Sequence, residues 1–381
     1  MADLRTNKAG YRITYMKLAI YISGMRKGGT ERKVANLANY MSDKGHEVVL
    51  VNAYRFDDEF AVNESVKRLV CEPSKDELPG SRIGNYRARF NALKDIWVRE
   101  KPDVILSFIG KTNIMTLLTS KGLNIPVAVG IAGDPNEEYY NPVLKFLARN
   151  LFKKADAVIL QTERSKAFFP KKVLDKAVIM RNPVSPDFDI DRFEGERDKT
   201  VVTLGRIDDN KNHALIIDAF ASIADKYPEW KVIIYGEGPS KEALEAKVRD
   251  LGLSNRILFP GYTDDVVGVL KIAGVFVLSS NTEGSPNALI EAMMMGVPVI
   301  STDCPCGGPG ELIRDGQNGL LIPVNDRVKM QDSLQKLFDN PHFAEQIGRE
   351  SARTRDIYSP KKVFEAWEKL LETLANKEKT Q

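Results

Sequence analysis

The sequence is poor in cysteine and histidine, with three of each among 381 residues. An odd number of cysteines does not make a disulfide framework, so we expect a reduced, cytoplasmic protein. Cys304 and Cys306 lie two positions apart, which is not a usual zinc-site spacing. We therefore interpret both as turn residues and expect no metal site.

Long apolar runs are also missing. No stretch of about 18 apolar residues occurs, which predicts no transmembrane helix. Residues 1–14 are polar and contain no apolar signal-peptide segment, so we expect a disordered lead-in. The hydrophobic content of 43% and the length are nevertheless sufficient for two domains with sizeable cores.

The charge is distributed unevenly along the chain. Residues 1–182 contain 31 Lys and Arg against 20 Asp and Glu, a net charge of +11, and the remainder contains 24 against 32, a net charge of −8. The first half is therefore expected to meet an anionic partner, such as a pyrophosphate-linked lipid or an anionic membrane surface. A solvated basic face is the alternative. We expect no nucleic acid, because no aromatic-basic RNA-binding motif occurs.

Apolar runs alternate with helical stretches, which predicts parallel βαβ units. Strands are predicted in the first half at 16–22, 47–52, 66–70, 103–108, 126–131, 156–160 and 177–180. Strands are predicted in the second half at 200–204, 231–235, 256–259, 275–278, 297–301 and 320–322. We predict an N-terminal domain at 1–182, a proline-containing linker at 183–198, a C-terminal domain at 199–358 and a final amphipathic helix at 359–381.

One stretch of the second half, NTEGSPNALIE from Asn281 to Glu291, combines a loop with the start of a helix. Ser285 is predicted to cap this helix and Pro286 to occupy its first position. The free N–H groups of a helix N-terminus suit a phosphate or another anion. Glu291 lies one turn beyond Asn287 on the same face. Taken alone, Glu291 reads as a solvated surface glutamate.

The whole string, with Gly296, Pro298 and the seven residues between Glu283 and Glu291, closely resembles glycosyltransferase family four, the retaining GT-B enzymes. The resemblance implies an α/β fold with two Rossmann-like domains facing a cleft. It implies that the N-terminal domain binds the acceptor, that the C-terminal domain binds the nucleotide-sugar donor, and that the last helix packs back on the N-terminal domain. It implies that Glu283 contacts hydroxyls of the donor sugar and that Glu291 binds the nucleotide ribose. Further donor-binding positions implied in this stretch are Ser285, Pro286, Asn287 and Leu289.

A second loop, after the strand at 200–204, places Arg206 and Lys211 five positions apart. A guanidinium and an ammonium group that converge from one loop can hold a diphosphate, although two solvated cations on a turn are an equal alternative. The family carries the same pattern and uses both cations on the donor phosphates. Gly205 and Gly238 belong to the turns that the resemblance places around the nucleotide.

The first half carries weaker candidates. Gly28 and Gly29 open a helix after the first strand, and the resemblance implies donor contact, whereas the turn alone needs only glycine. Asp134 is a candidate general base, because no histidine lies where many family members have one. It can equally cap the turn before Pro135. Residues 142–154 predict a basic amphipathic helix that suits an anionic membrane or an ordinary core.

We therefore predict a retaining, metal-independent glycosyltransferase without a cofactor, with Arg206, Lys211, Glu283 and Asp134 as catalytic residues. The expected donor is a nucleotide diphosphate sugar, with UDP favoured, and the expected acceptor is a glycan or a polyprenyl-pyrophosphate-linked sugar in polysaccharide synthesis. The expected location is cytoplasmic, with peripheral contact with the inner face of the cell membrane. The alternatives are a catalytically silent nucleotide-sugar-binding partner and a GT-B nucleotide-sugar epimerase.

Overall fold

The computed structural model describes residues 4–6, 12–26, 28–74, 76 and 78–376. The chain divides into two compact units. The first unit comprises Met1–Pro183 and Val363–Gln381, and the second comprises Val184–Lys362. The chain therefore leaves the first unit close to the predicted boundary and returns to it with its last helix.

The first unit is built on a parallel sheet. Its strands are β1 (Leu4–Thr6), β2 (Arg12–Thr14), β3 (Lys17–Ile22), β4 (Glu47–Asn52), β5 (Lys67–Val70), β6 (Val104–Phe108), β7 (Val127–Gly130), β8 (Ala157–Leu160) and β9 (Ala177–Ile179). Its helices are α1 (Gly29–Asp43), α2 (Arg82–Glu100), α3 (Gly110–Thr119), α4 (Pro135–Glu138), α5 (Pro142–Leu151) and α6 (Lys171–Leu174). The strands β1 and β2 pair antiparallel, so the expected disordered lead-in is wrong over those two segments.

Seven strands of this unit follow the order β5-β4-β3-β6-β7-β8-β9, and all neighbouring pairs are parallel. Apolar residues of β3, β4 and β6 are buried on both faces of the sheet, as β-branched runs in a covered parallel sheet should be. The strand order reverses between β3 and β6, and ligands of open α/β sheets bind outside the carboxyl ends at such a point.

The second unit repeats this architecture. Its strands are β10 (Thr200–Leu204), β11 (Lys231–Tyr235), β12 (Ile257–Gly261), β13 (Val275–Leu278), β14 (Val299–Thr302) and β15 (Leu320–Ile322). Its helices are α7 (His213–Ala221), α8 (Lys241–Asp250), α9 (Val266–Ile272), α10 (Asn287–Met294), α11 (Gly308–Leu312), α12 (Arg327–Asp339), α13 (Pro341–Ala352) and α14 (Arg355–Tyr358). The parallel sheet follows the order β12-β11-β10-β13-β14-β15 and reverses between β10 and β13.

The segment 183–198, predicted to be a linker, is packed on the second unit. Val184 and Phe188 are buried in a core cluster with residues of α10. The Arg197 guanidinium donates hydrogen bonds to carbonyl oxygens near the C-terminal ends of α9 and α10. This segment, which we call the strap (184–198), is therefore packed against the second unit and is not a flexible linker.

The last helix, α15 (Pro360–Asn376), is largely part of the first unit. Trp367 is buried, and its indole N–H donates to the Arg181 carbonyl oxygen over 2.8 Å. The Tyr40 hydroxyl donates to the Glu368 carboxylate over 2.8 Å. The apolar face predicted for this helix is therefore used inside the first unit. Among the described residues, no helix has both the length and the apolar character needed to cross a bilayer.

Candidate active site

The reversal of strand order in the second unit positions two loops side by side. The first loop follows β10 and contains Arg206 and Lys211, and the second follows β13 and contains Glu283. Asn210 joins the two loops: its side chain donates to the Thr282 carbonyl oxygen and accepts from the Thr282 N–H, each over 3.1 Å. The sheet topology therefore brings together residues that are far apart in sequence.

Lys211 and Glu283 form an ion pair at this point, with side chains that are 24% and 14% exposed. Burial acts to lower the pKa of Lys211, but the Glu283 carboxylate and Asp208 outweigh it, so the pKa is raised. The ammonium group therefore stays charged at neutral pH. A phosphate oxygen would find this cation already oriented.

Serine side chains hold the pair in place. The Ser280 hydroxyl donates to Glu283 Oε1 over 2.8 Å, and the Ser279 hydroxyl donates to the Lys211 carbonyl oxygen over 2.7 Å. Both bonds to the Glu283 carboxylate within the described part of the chain go to Oε1, and neither goes to Oε2. Sequence reasoning assigned no role to these serines, although their position directly after a buried strand was a signal.

Arg206 is oriented differently from Lys211. Its side chain is 70% exposed, and its Nε lies 3.5 Å from Asp208 Oδ2. Asp208 Oδ1 in turn accepts the Lys211 backbone N–H over 3.0 Å. Asp208, which the sequence did not single out, thus shapes the turn that carries both cations. An exposed guanidinium with one long contact can turn toward a ligand at little cost.

Glycine is required where the loop after β10 crosses the loop after β11. A Cβ atom on Gly236 would lie 1.9 Å from the Gly205 carbonyl oxygen, and one on Gly238 would lie 2.2 Å from the Ile207 carbonyl oxygen. The predicted donor-binding position Gly238 therefore has a packing role of its own, and Gly205 has a φ of 149°, which favours glycine. Neither observation supports or opposes donor contact. A Cβ on Gly308 would lie 1.9 Å from the Gly284 carbonyl oxygen, so the loop after β14 also packs tightly here.

The helix α10 begins at Asn287, with Pro286 at the N-cap position and no side-chain cap bond. The predicted Ser285 cap is therefore wrong by one residue. Glu291 is 2% exposed, so the interpretation of a solvated glutamate is wrong as well. Leu289 is fully buried in the core, so its side chain supports the helix and cannot contact a donor. Asn287 is half-buried on the same helix.

In the first unit, Gly28 occupies the N-cap position of α1 and Gly29 is the first residue of that helix. Asp134 caps the short helix α4, because its Oδ1 accepts the Asn136 N–H over 2.8 Å. The capping alternative thus describes the observed geometry, and the general-base role of Asp134 stays a prediction.

One cluster of possible metal ligands consists of His46, Glu368 and Glu372 in the first unit. His46 Nδ1 accepts the Met16 N–H over 3.3 Å, so the neutral ring carries its proton on Nε2, which lies 3.2 Å from Glu368 Oε1. Both ring nitrogens are thus used in hydrogen bonds, and the one at Nε2 joins His46 to Glu368 of the last helix. In this structure, the contact between His46 and Glu368 holds the last helix against the first unit.

Comparison with known proteins agrees with this geometry. The model of the glycosyl transferases group 1 matches residues 187–354, and that of Glycosyltransferase Family 4 matches residues 27–188. The chain belongs to glycosyltransferase family 4. Both units of the chain are therefore covered by family matches, and the chain is a glycosyltransferase with the GT-B fold.

Two curated relatives come from Campylobacter jejuni. One is named GalNAc-α-(1→4)-GalNAc-α-(1→3)-diNAcBac-PP-undecaprenol α-1,4-N-acetyl-D-galactosaminyltransferase and is 27% identical over 95% of this chain and 99% of its own length. The other, named N-acetylgalactosamine-N,N'-diacetylbacillosaminyl-diphospho-undecaprenol 4-α-N-acetylgalactosaminyltransferase, is 26% identical over 89% and 94%. The Anabaena protein HepE, solved with UDP, shares the fold with a TM-score of 0.77 at 17% identity, over 94% of this chain and 100% of its own.

Proposed function

We propose that the chain transfers a sugar from a UDP-sugar to a hydroxyl of a lipid-linked glycan, with retention at the anomeric carbon and without a metal. The observation that carries the proposal is the Lys211–Glu283 pair at the point where the strand order reverses, with the exposed Arg206 beside it. This arrangement offers two cations to a diphosphate and one carboxylate oxygen to a sugar hydroxyl.

The reaction requires stabilisation of a leaving diphosphate as its charge grows. Two positioned cations can supply that stabilisation, which is the term that usually contributes most to catalysis. The bond between the anomeric carbon and the β-phosphate oxygen breaks while the acceptor oxygen bonds to the same carbon. The β-phosphate takes the acceptor proton, so the step needs no histidine base. Because the two cations stabilise the leaving diphosphate, we propose that this step needs no metal.

The relatives favour the proposed acceptor and the proposed stereochemistry. Both are named for acceptors linked through a diphosphate to undecaprenol and for products with α-linkages. An α-linked product formed from an α-linked donor is the retaining outcome. The basic first half of the chain suits such an anionic acceptor.

The test is transfer by the purified full-length chain from UDP-N-acetylgalactosamine, UDP-N-acetylglucosamine, UDP-galactose and UDP-glucose to a polyprenyl-diphosphate-linked sugar. We expect one donor to give an α-linked product by proton NMR, at a rate that EDTA does not change. A β-linked product would refute retention. Binding of UDP without transfer or hydrolysis would favour the silent binding partner, and release of an epimerised sugar would favour the epimerase.

We also propose that α5 holds the first unit on an anionic membrane. Leu147 and Leu151 of this helix pack on the core of the first unit. Val143 and Phe146 are instead 65% and 66% exposed, and Tyr140 before the helix is 79% exposed. Exposed apolar residues beside Lys145 and Arg149 are typical of an interfacial helix.

Two further basic segments of the first half, at 82–89 and at 166–172, are partly neutralised. Arg89 pairs with Glu72, and Lys166 pairs with Glu163 over 2.7 Å. We therefore expect Phe146→Ser to reduce sedimentation with anionic phosphatidylglycerol vesicles, whereas Val328→Ser, at an exposed position of the second unit, should not. Equal binding of the original chain to vesicles of neutral phosphatidylcholine would contradict the electrostatic part of the proposal.

A further inference from the structure

The first unit has its own reversal of strand order, between β3 and β6, and three side chains meet there. Lys33 comes from α1, Phe108 ends β6, and Glu138 ends α4. The Lys33 Nζ lies 4.3 Å from the centre of the Phe108 ring. Lys33 stands in an apolar helical stripe and was not predicted as a site residue.

Lys33 is buried without a matching acceptor. The residue is 2% exposed, and no hydrogen bond or ion pair joins its Nζ to any residue in the described ranges. Burial lowers its pKa to about 8, against the opposing fields of Glu138 and Glu31. An ammonium group with three donors is costly to bury when the protein offers no acceptor. A ligand with acceptor oxygens would remove that cost.

Glu138 is held rigidly, and its charge acts on Lys33 although the two side chains form no ion pair in the described part of the chain. Its Oε1 accepts the N–H groups of Ala132 and Gly133 over 2.6 and 2.8 Å, and its Oε2 accepts the Gly110 N–H over 3.2 Å. These bonds tie together the loops that follow β6 and β7. Burial raises the pKa of Glu138, and the three backbone bonds oppose the shift.

The carboxylates indicate which ligand chemistry fits. Glu138 already accepts the backbone N–H of Gly110 at the start of α3. The Glu31 carboxylate lies against Gly28 at the start of α1. A phosphate would therefore meet two helix ends that are occupied and two carboxylates that repel it. Neutral hydroxyl groups can donate to carboxylates and accept from an ammonium group. The cluster thus favours a sugar over a phosphate.

The backbone beside the cluster is unusual. Ile109 has φ of 72° although it is β-branched, and Gly110 follows with φ of 44°. A β-branched residue in this region is a conformational outlier. Such strain persists where the surrounding structure fixes it, and it recurs at ligand sites.

We propose that Lys33 and Glu138 form a subsite for a neutral sugar of the acceptor, with Lys33 donating to a ring or hydroxyl oxygen and Glu138 accepting from a hydroxyl. The proposal rests on the proposed function, because it assigns the sugar to the acceptor side of that transfer.

The test is thermal unfolding of the full-length chain as purified, as Lys33→Met and as Lys111→Met. Methionine fills the lysine volume without charge, and Lys111 is an exposed lysine in the first turn of α3. Each protein is measured alone and with N-acetylgalactosamine, N-acetylglucosamine, galactose or glucose at about 100 mM, because a ligand of the folded state raises the unfolding temperature. UDP and inorganic pyrophosphate are measured in parallel.

We expect at least one sugar to raise the unfolding temperature of the original chain and of Lys111→Met by at least 1 °C more than that of Lys33→Met. We also expect Lys33→Met alone to unfold at the same temperature or higher, because an unmatched buried charge is gone. A sugar response equal in all three proteins would overturn the subsite. A lower unfolding temperature of Lys33→Met without any loss of sugar response would identify Lys33 as a structural counter-ion.

The other two ligands separate this proposal from the proposed function. Loss of the pyrophosphate response in Lys33→Met would overturn the sugar assignment in favour of an anion site. Loss of the UDP response in all three proteins, with the sugar response intact, would instead contradict the donor site of the second unit and leave the sugar subsite standing.

Discussion

Lys211 and Glu283 show how two charged residues can be buried and still be ready for a ligand. Each is largely withdrawn from water, and each is the other's main partner. Breaking such a pair leaves an uncompensated buried charge, which typically costs about 3–5 kcal/mol. Substitution of either residue alone will therefore lower stability as well as activity. Arg206 allows a cleaner test, because its side chain is mostly exposed.

Arg206→Ala is expected to reduce the transfer rate by roughly 10²- to 10³-fold, the usual effect of losing one charge-stabilising group. Its effect on the free energy of unfolding should stay within about 0.5 kcal/mol, as for other exposed side chains. Steady-state kinetics and urea unfolding measure the two effects.

Arg353→Ala is the matched control for Arg206→Ala. Arg353 is 73% exposed and also lies near a carboxylate, Glu350, at 3.1 Å. It should leave both the rate and the stability unchanged. If Arg206→Ala retains more than half of the original rate, Arg206 does not hold the leaving diphosphate.

At this scale, the sequence identified the residue types but not their contacts. Arg206, Lys211 and Glu283 were predicted from the family resemblance. The direct Lys211–Glu283 pair was not, because 72 positions separate them and only the sheet topology brings them together. Lys33 was not predicted, because surface lysines also lay their aliphatic chains along apolar helix faces. A lysine within an apolar stripe of the sequence therefore does not indicate a buried functional group.

Among the elements, α10 depends on a residue outside itself. The Arg197 guanidinium donates to carbonyl oxygens of Lys271 and Ala273 at the C-terminal end of α9 and of Met295 and Gly296 just beyond α10. The last carbonyls of a helix have no partners within it, so a forked donor at two helix ends satisfies several at once. Burial, with the nearby Arg192, lowers the pKa of Arg197 to about 10.

Arg197→Met should therefore lower the free energy of unfolding by roughly 2–4 kcal/mol, because it leaves several carbonyl groups without a donor. Arg197→Lys should recover less than half of this loss, since an ammonium group cannot span both helix ends. Guanidinium chloride unfolding measures both. Arg349→Lys, at an exposed position, is the control. A loss below about 0.5 kcal/mol for Arg197→Met would show that water replaces the hydrogen bonds of the Arg197 guanidinium.

The strands were predictable because each combines a short apolar run with turn residues at both ends. Five have exactly the predicted bounds, among them β4, β10 and β13. The start of α10 was misplaced because both Ser285 and Pro286 are favoured near a helix start, and only the observed backbone shows which is the cap. The strap at 184–198 was misread because prolines and charges mark packed surface segments as well as linkers.

At the scale of the whole molecule, we expect the stabilities of the two units to respond to acid in different pH ranges, because a strongly shifted titratable group lies in each. Burial, with the Lys211 ammonium group, lowers the pKa of His213 in the second unit to about 4. Hydrogen bonds from Lys67, Lys17 and Arg99 outweigh burial and lower the pKa of Glu100 in the first unit to about 2.

The signs of both effects follow from proton uptake by the unfolded chain. His213 contributes stability above its unfolded pKa of about 6.5, and this is lost as pH falls toward about 4. Glu100 contributes stability above about 4.3, and this is lost as pH falls toward about 2. The second unit should therefore weaken first on acidification.

Tryptophan fluorescence and urea unfolding between pH 7 and pH 3 test this order. His213→Gln should flatten the loss of stability between about pH 6.5 and 4, because the group that takes up a proton on unfolding is removed. Glu100→Gln should leave that range unchanged. An identical pH profile for His213→Gln and the original chain would contradict the assignment.

Two Rossmann-like units could be predicted from the alternating pattern of strands and helices, and the family matches agree with them. The pairing of β1 with β2 could not, because three-residue polar strands carry no periodic pattern. The role of the last helix in the first unit was expected from the resemblance, and the buried Trp367 supplies its physical reason.

The proposed function depends on the proposed diphosphate site of the second unit. The most direct measurement is thermal unfolding of the original chain and of Arg206→Ala with UDP, GDP and ADP, because a diphosphate that binds the folded state must raise its unfolding temperature. We predict a shift with UDP that exceeds the shifts with GDP and ADP and that is largely lost in Arg206→Ala. No shift with any diphosphate from a well-folded sample, or an undiminished shift in Arg206→Ala, would contradict the account.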